Sequence, residues 1–431
     1  MHSVGKTTMD RARTHFFLRM IVIIALLLRV GFVIVEPPVA RDVLAPLADS
    51  TDYDHLARAL LRGEGFVNLQ GNPTAFRPPV YPVFVAMVYA VAGEQNLMAV
   101  ALVQAALGAV ATLLVYLLAR RAAVDRAGAL CAALLYACYP AFIVQVPQIL
   151  SEELGRVLLL GAVLFMMEDD GKNWMKTALA GAILAVAILN KSVLAAAVPF
   201  LCLALLWGGN RAMRERLVAA TAFALPLCLV IGGWTLRNAS VSGSFIPVST
   251  NFPITFAHGV TKWNVQANEW YGQDTALLPV PEDFRDWTQL RTYHDIGQEL
   301  EVGREWGRKA GQWTSDHGWL FGVMSVRKGL HFWGCLIRGS LLERLVAALS
   351  MGTVILGGWL FLILRARTSP LAMRRFALLA FAVAFSVTIP YAISQCDVRY
   401  RLSLIDPLWM VFCGALLAPM VAPFCKSPSE G

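Results

Sequence analysis

Apolar residues along this chain gather in blocks about 20 residues long, the length that crosses a hydrocarbon core. Clear blocks fall at 16–35, 98–119, 127–146, 148–167, 217–236, 341–364, 376–393 and 402–422. Residues 80–92 form a shorter apolar run, too short to cross. Laid along the interface, that run leaves Arg120, Arg121 and Arg126 on the cytoplasmic side, as the positive-inside bias prefers. It is therefore expected to be a juxtamembrane or re-entrant helix.

Residues 174–207 are too long for one span, and Asn190-Lys191-Ser192 interrupts them. Splitting there gives two short spans that meet on the outer side. The split places Arg211, Arg214, Arg216, Arg365, Arg367, Arg374 and Arg375 inside, whereas a single span would place them outside. The pattern thus predicts an all-α polytopic membrane protein of about ten transmembrane helices with both termini cytoplasmic. A basic N-terminus (Lys6, Arg11, Arg13, Arg19) precedes the first block without a small-x-small site after it, so an uncleaved first helix is expected.

This topology leaves two long segments on the outer side, 36–97 and 237–340. Three regions follow: a transmembrane module at 1–236 that includes the first external loop, an external soluble loop domain at 237–340, and C-terminal transmembrane helices at 341–431. The middle region holds seven of the chain's 12 Trp residues. Its turn signals are Ser242-Gly243-Ser244 and Pro279-Val280-Pro281, and 293–316 reads as helix.

Composition agrees with the pattern. Of 431 residues, 57% are hydrophobic and only 15% are charged, against roughly 25% charged in soluble domains. The formal charge of +8 reflects cytoplasmic Lys and Arg and does not imply nucleic acid. Most of the eight Cys fall inside spans, and no Cys-x-x-Cys or Cys/His zinc spacing occurs. Cys335 and Cys396 both fall on the outer side and are candidates for a disulfide. The sequence has no P-loop, no dinucleotide glycine fingerprint and no Gly-x-Ser-x-Gly elbow.

The candidate chemistry lies at the outer ends of spans. Asp49, Asp52 and Asp54 sit just past the first span. A helical stripe over 51–62 (Tyr53, Leu56, Ala57, Leu60, Leu61) gives Asp52 and Asp54 a second use as helix caps. Arg77 precedes Pro78-Pro79, which fixes an extended entry to the interfacial helix. A guanidinium at headgroup level suits phosphate, or snorkels among headgroups. Glu152 and Glu153 open the fourth span, where Glu152 also has Arg156 four residues on as a helix-face partner. Lys191 lies in the outer break, either facing an anionic ligand or reaching to the interface. Arg237-Asn238 and Arg399-Tyr400-Arg401 end two further spans, as cavity linings or as interface anchors. Arg29 lies inside the first span and needs a partner or a route to the surface. The histidines show no metal-binding helix spacing, so no histidine-based metal is expected.

Taken in order, these motifs resemble the GT-C superfamily of polyprenyl-phosphate-dependent membrane glycosyltransferases. The resemblance is to the bacterial branch related to protein O-mannosyltransferases and lipid A aminoarabinose transferases. It is carried by Asp49-x3-Tyr53-x3-Ala57, Gly63-x-Gly65-Phe66, the run from Gly71 through Phe76-Arg77-Pro78-Pro79-x-Tyr81-Pro82, Ser151-Glu152, Arg237-Asn238, Pro247-x-Ser249-Thr250-Asn251 and Arg399-Tyr400-Arg401. The resemblance implies that Asp49 is the catalytic base and that Arg77 contacts the lipid phosphate. It puts the second acidic position on Glu152. Some relatives carry an acid that helps hold a metal where this chain has Phe76, which leaves Asp49 and Glu152 as the residues for a divalent cation.

The expected reaction moves a sugar from a polyprenyl-phosphate donor to a hydroxyl acceptor, with inversion, at the outer face of a bacterial plasma membrane. The leaving phosphate needs a cation, for which Arg77, Lys191, Arg399 and Arg401 are candidates. Asp52, Tyr53, Tyr81, Arg237, Asn238 and Tyr400 would line the substrate cavity. The partners are the lipid-linked donor and membrane lipids, with an acceptor that is protein, lipid or polysaccharide. A flippase of lipid-linked sugars would place its polar residues near the midplane on several spans, and a noncatalytic scaffold subunit would tolerate loss of Asp49 and Arg77 together.

Overall fold

A computed structural model describes residues 2–38, 48–168, 174–207, 212–260, 294–334 and 341–425. Among these the chain is helical, with one isolated β-bridge between Val67 and Pro73. The helices are α1 (His2–Val35), α2 (Ala48–Leu61), α3 (Val80–Ala92), α4 (Leu97–Arg121), α5 (Arg126–Ala137), α6 (Pro140–Val144), α7 (Glu152–Met167), α8 (Trp174–Asn190), α9 (Ala197–Trp207), α10 (Met213–Ser242) and α11 (Phe252–His258). They continue with α12 (Ile296–Asp316), α13 (Gly318–Phe332), α14 (Leu341–Arg365), α15 (Leu371–Ile393), α16 (Val398–Leu404) and α17 (Asp406–Cys425). A 3-10 turn at Ser192–Ala196 joins α8 to α9.

The protein is an all-α integral membrane protein. Every apolar block has a helical counterpart, but α1, α4, α10, α14 and α15 alone among the described helices are long and apolar enough to cross by themselves. A sixth crossing results if α16 and α17, bent by 59° at Ile405, count as one. The expected span at 127–146 is broken, because Pro140 cannot continue α5 and a short second helix begins there. The expected break at Lys191 is present, and residues 80–92 form a separate short helix, α3, as expected.

The broken α5 explains Arg29. Its guanidinium donates to the carbonyls of Tyr136 and Ala137 at the C-terminal end of α5, at 3.3 and 3.0 Å. At the break Tyr136 O keeps a turn contact from Tyr139 N–H at 3.3 Å in place of a regular helical bond, and a buried cation serves both carbonyls. Gly108 on α4 makes the room, since a Cβ there would sit 2.4 Å from Arg29 Nε. Elsewhere α5 and α17 approach through Gly128 and Gly414, whose backbones touch so closely that a Cβ on either would meet the other's carbonyl.

Residues from the segments 36–97 and 237–340 meet at one end of this bundle. Thr250 N–H donates to Ala75 O at 3.0 Å. Arg237, near the C-terminal end of α10, donates to Thr74 O and Phe66 O at 2.7 and 3.0 Å. The helix expected over 293–316 is α12, capped by the Asp295 side chain. Pro279-Val280-Pro281, Trp263, Trp270, Trp287 and Cys335 lie outside the described residues, and so therefore does the candidate disulfide.

Candidate active site

Helix α2 starts at Ala48, earlier than the stripe over 51–62 predicts. Asp49 therefore lies in its first turn, while Asp52 and Asp54 are inside the helix and do not cap it. Asp54 pairs with Arg58 at 2.9 Å and accepts from Tyr89 Oη at 2.7 Å, away from the other acids. Asp49 and Asp52 lie one turn apart on the same face, and both reach Arg77. The Arg77 Nη2 atom is 2.7 Å from Asp49 Oδ1 and 2.8 Å from Asp52 Oδ2. Its guanidinium also packs over the Tyr53 and Phe76 rings. Burial works against the Arg77 charge, but the adjacent Asp49 and Asp52 outweigh it and hold the group well above its ordinary value.

The second half of the cluster comes from α7, the α8–α9 break and α16. Lys191 Nζ lies 3.0 Å from Glu152 Oε1. Arg399 Nε lies 3.2 Å from the same oxygen, and its Nη2 lies 3.3 Å from Asp49 Oδ2. A continuous ionic chain thus runs Asp52, Arg77, Asp49, Arg399, Glu152, Lys191. It holds three acids and three bases, so it is neutral as it stands. Tyr400 braces it: Lys191 Nζ sits 4.6 Å from one ring, Tyr391 stacks on that ring at 4.2 Å, and Arg399 donates to its hydroxyl at 3.1 Å. Side-chain exposure falls from 27% at Asp49 and 19% at Arg399 to 4% at Glu152. An incoming ligand therefore meets Asp49 and Arg399 first and finds Glu152 on the floor.

Glu152 does not pair with Arg156. That partner is Glu153, three residues before Arg156, at 2.7 Å in a fully buried pair. The helical rotation that turns Glu153 into the bundle turns Glu152 toward the cluster.

Several expected site residues lie elsewhere. Arg401, expected among the phosphate ligands, is fully buried and paired with Asp406 at 3.0 Å. It also donates to Phe332 O and Gly334 O, so it holds the kink between α16 and α17. One residue of helix rotation from Tyr400 is enough to send it inward. Arg237 and Asn238 bind backbone carbonyls of Thr74, Phe66 and Ile246 and fasten α10 to the external segments; the structure does not make them cavity lining. Tyr81 is buried, edge-on to Tyr53, and donates to Gln104 Oε1 at 2.7 Å. Tyr53 stays a neutral phenol, because burial raises it and Arg77 only partly offsets that.

Glu299 is a residue that the sequence reading missed. From α12 it accepts hydrogen bonds from Thr74 Oγ1 at 2.6 Å, Thr250 Oγ1 and Ala75 N–H at 3.3 Å. It thereby clamps the strip that leads into Arg77. Burial raises its pKa, partly countered by the two threonine hydroxyls. A signal existed: Glu299 stands in the buried stripe Ile296, Gly303, Trp306, Ala310, Trp313, where an acid has no place unless it is partnered.

Asp49 and Glu152 do not fit a shared divalent cation. The Arg399 guanidinium already lies between them and supplies the positive charge, and Phe76 provides no third carboxylate. Among the described residues there is no group of three or more metal-ligating side chains.

With this geometry in place, comparison with known proteins is informative. A family model described as dolichyl-phosphate-mannose-protein mannosyltransferase matches residues 76–234. The archaeal oligosaccharyltransferase AglB from Archaeoglobus fulgidus, solved with an inhibitory peptide and a dolichol-phosphate, superposes with a TM-score of 0.58 at 14% identity. That superposition covers 96% of this chain and 51% of AglB. The chain shares the fold of that oligosaccharyltransferase. It spans about half the length of that oligosaccharyltransferase. ArnT from Cupriavidus metallidurans in the apo state aligns over 97% of this chain and 77% of its own, at 13% identity and a TM-score of 0.39. No curated protein matches by sequence. The stretch matched by the family model begins at Phe76, beside Arg77, and includes Glu152 and Lys191.

Proposed function

We propose that this protein is an inverting glycosyltransferase that moves a sugar from a polyprenyl-phosphate donor to a hydroxyl acceptor at the outer face of a bacterial plasma membrane. The observation that carries the reading is the meeting of Asp49, Arg77, Glu152, Lys191 and Arg399, from separate parts of the chain, at one end of the bundle. The family match and the shared fold with a protein solved in complex with dolichol-phosphate support the class of donor.

The chemistry follows from the residues. The acceptor oxygen attacks the anomeric carbon opposite the phosphate, forming the new C–O bond as the bond to the phosphate oxygen breaks. Asp49 accepts the hydroxyl proton. The electron pair of the broken bond leaves on the phosphate, where Arg77, Arg399 and Lys191 stabilise it. Glu152 holds Arg399 and Lys191 in place until then. No soluble nucleotide sugar and no metal ion enters these steps. Arginine clusters at the cytoplasmic ends of α4, α14 and α15 support the assigned orientation.

The test is sugar transfer by purified full-length protein from a panel of radiolabelled polyprenyl-phosphate sugars, wild type against Asp49→Asn. Turnover that falls ~10²–10⁴-fold in the variant while donor binding persists is the expected result. Full activity in Asp49→Asn overturns the assignment of the base. Donor binding without turnover for every acceptor tried overturns the enzyme reading.

A further inference from the structure

Helix α13 carries its apolar residues on the wrong face for a soluble domain. Trp319, Val326 and Leu330 fall on one stripe and are 86%, 64% and 70% exposed. The opposite stripe, Met324, Lys328 and Phe332, is buried. A soluble helix would turn its apolar stripe inward. Here the inward stripe is occupied too, so α13 is apolar on both sides along most of its length.

The contacts of α13 fix its depth. Lys328 Nζ donates to Gly259 O and Ser394 O at 2.9 and 3.0 Å, at the outer end of α15. Beyond its last turn, Trp333 Nε1 donates to Thr388 Oγ1 at 3.2 Å. Thr388 lies six residues below Ser394, or about 9 Å along a helix. The Trp333 ring packs 5.6 Å from Trp359 of α14 and 5.2 Å from Trp409 of α17. Those two rings also flank Phe381, near the middle of α15. The foot of α13 therefore stands beside the interiors of two crossing helices.

Rising from Trp333 at 1.5 Å per residue, Leu330 and Val326 are roughly 5 and 10 Å higher, and Trp319 about 21 Å higher. Half a hydrocarbon core is roughly 15 Å thick. Thr388, level with Trp333, is itself seven residues or about 10 Å above Phe381, so Leu330 lies at the edge of the acyl region, Val326 at headgroup level and Trp319 beyond it. Arg327, on the flank of the stripe, is exposed and long enough to reach upward to headgroups.

We propose that the last turns of α13 are seated in the membrane leaflet on the side of the ionic cluster, with Leu330 facing acyl chains and Val326 facing headgroups. Helix α13 is then no part of a free soluble domain. It is anchored in one leaflet, and the anchor reaches the site through Phe332, which stacks on Tyr391 at 5.6 Å, and through Tyr391 on Tyr400. The bilayer is the occupant of this face because the foot of the helix lies among spans whose own outer residues, Phe385 and Ile389 of α15, are exposed in the same way. This inference does not depend on the proposed activity.

The test uses full-length protein in liposomes that contain a tritiated phospholipid. The photoreactive residue p-benzoylphenylalanine is placed at Val326, at Leu330, or at Gln312, an exposed position on α12. Both α13 positions are exposed, so each substitution is accommodated on the surface, and the second serves as a check on the first. Irradiation is expected to attach tritium to the protein at 326 and 330, with none above background at 312. Labelling at 326 and 330 no higher than at 312 overturns the proposal, because it places the helix in water. Cross-linking there to a second copy of the chain, without lipid, overturns it as well.

Discussion

Arg399 Nη2 lies 3.3 Å from Asp49 Oδ2, and 350 residues of sequence separate the two. Asp49 is also held by Arg77 at 2.7 Å. Two guanidiniums thus occupy the Asp49 carboxylate. A bound phosphate competes for the same guanidiniums and so frees Asp49 for the acceptor proton.

This relationship makes Arg399 a donor-sensing residue in the proposed reaction. Arg399→Gln is expected to lower kcat by ~10²–10³ and to raise the donor KM. Arg399→Lys is expected to recover only part, because an ammonium cannot span Asp49 and Glu152 as the guanidinium does. Steady-state kinetics with a lipid-linked donor check this. Unchanged kcat and KM in Arg399→Gln would show that phosphate contact lies elsewhere.

Two residues on, Arg401 carries a different expectation. It is buried against Asp406 and two carbonyls, so Arg401→Ala leaves a buried carboxylate unpaired. The expected cost is about 3–5 kcal/mol, read as a lowered Tm in detergent. Donor KM in the surviving folded fraction is expected to stay at the wild-type value. A stable Arg401→Ala protein with a raised donor KM would return this residue to the phosphate site.

Glu299 links α12 to the strip before Arg77. Glu299→Ala leaves Thr74, Thr250 and Ala75 without their acceptor, at a cost of roughly 1–3 kcal/mol. Limited proteolysis is expected to cut the first external loop faster in this variant. Glu299→Gln keeps one acceptor oxygen and is expected to restore most of the protection. Wild-type protease resistance in Glu299→Ala would remove the clamp from the account.

His258 gives a pH signature. Burial, against a hydrogen bond with Gln395, pulls it from 6.5 down to about 4. Between those values the unfolded chain binds the proton and the folded chain does not, so stability falls as pH drops through that window. A shift of this size is worth roughly 3 kcal/mol in full. The Tm difference between pH 7 and pH 4.5 is expected to shrink in His258→Gln. An equal difference in both proteins would assign the acid sensitivity to other groups.

The hydrophobic pattern by itself determined a polytopic helical protein, the short separate helix α3 and the break at Lys191, because segment length and positive-inside charge depend on local sequence alone. It also marked Asp49, Arg77, Glu152, Lys191 and Arg399 as polar residues at one level of the membrane. Only the tertiary structure decided which of them meet. Arg399 and Arg401 look equivalent in sequence, as do Glu152 and Glu153. Helix rotation separates each pair, sending one member to the cluster and the other into the bundle. The rotation is set by contacts such as Asn190 on Ser151 O at the start of α7 and Arg401 of α16 on Phe332 O. Those contacts join residues distant in the chain, which no local pattern encodes.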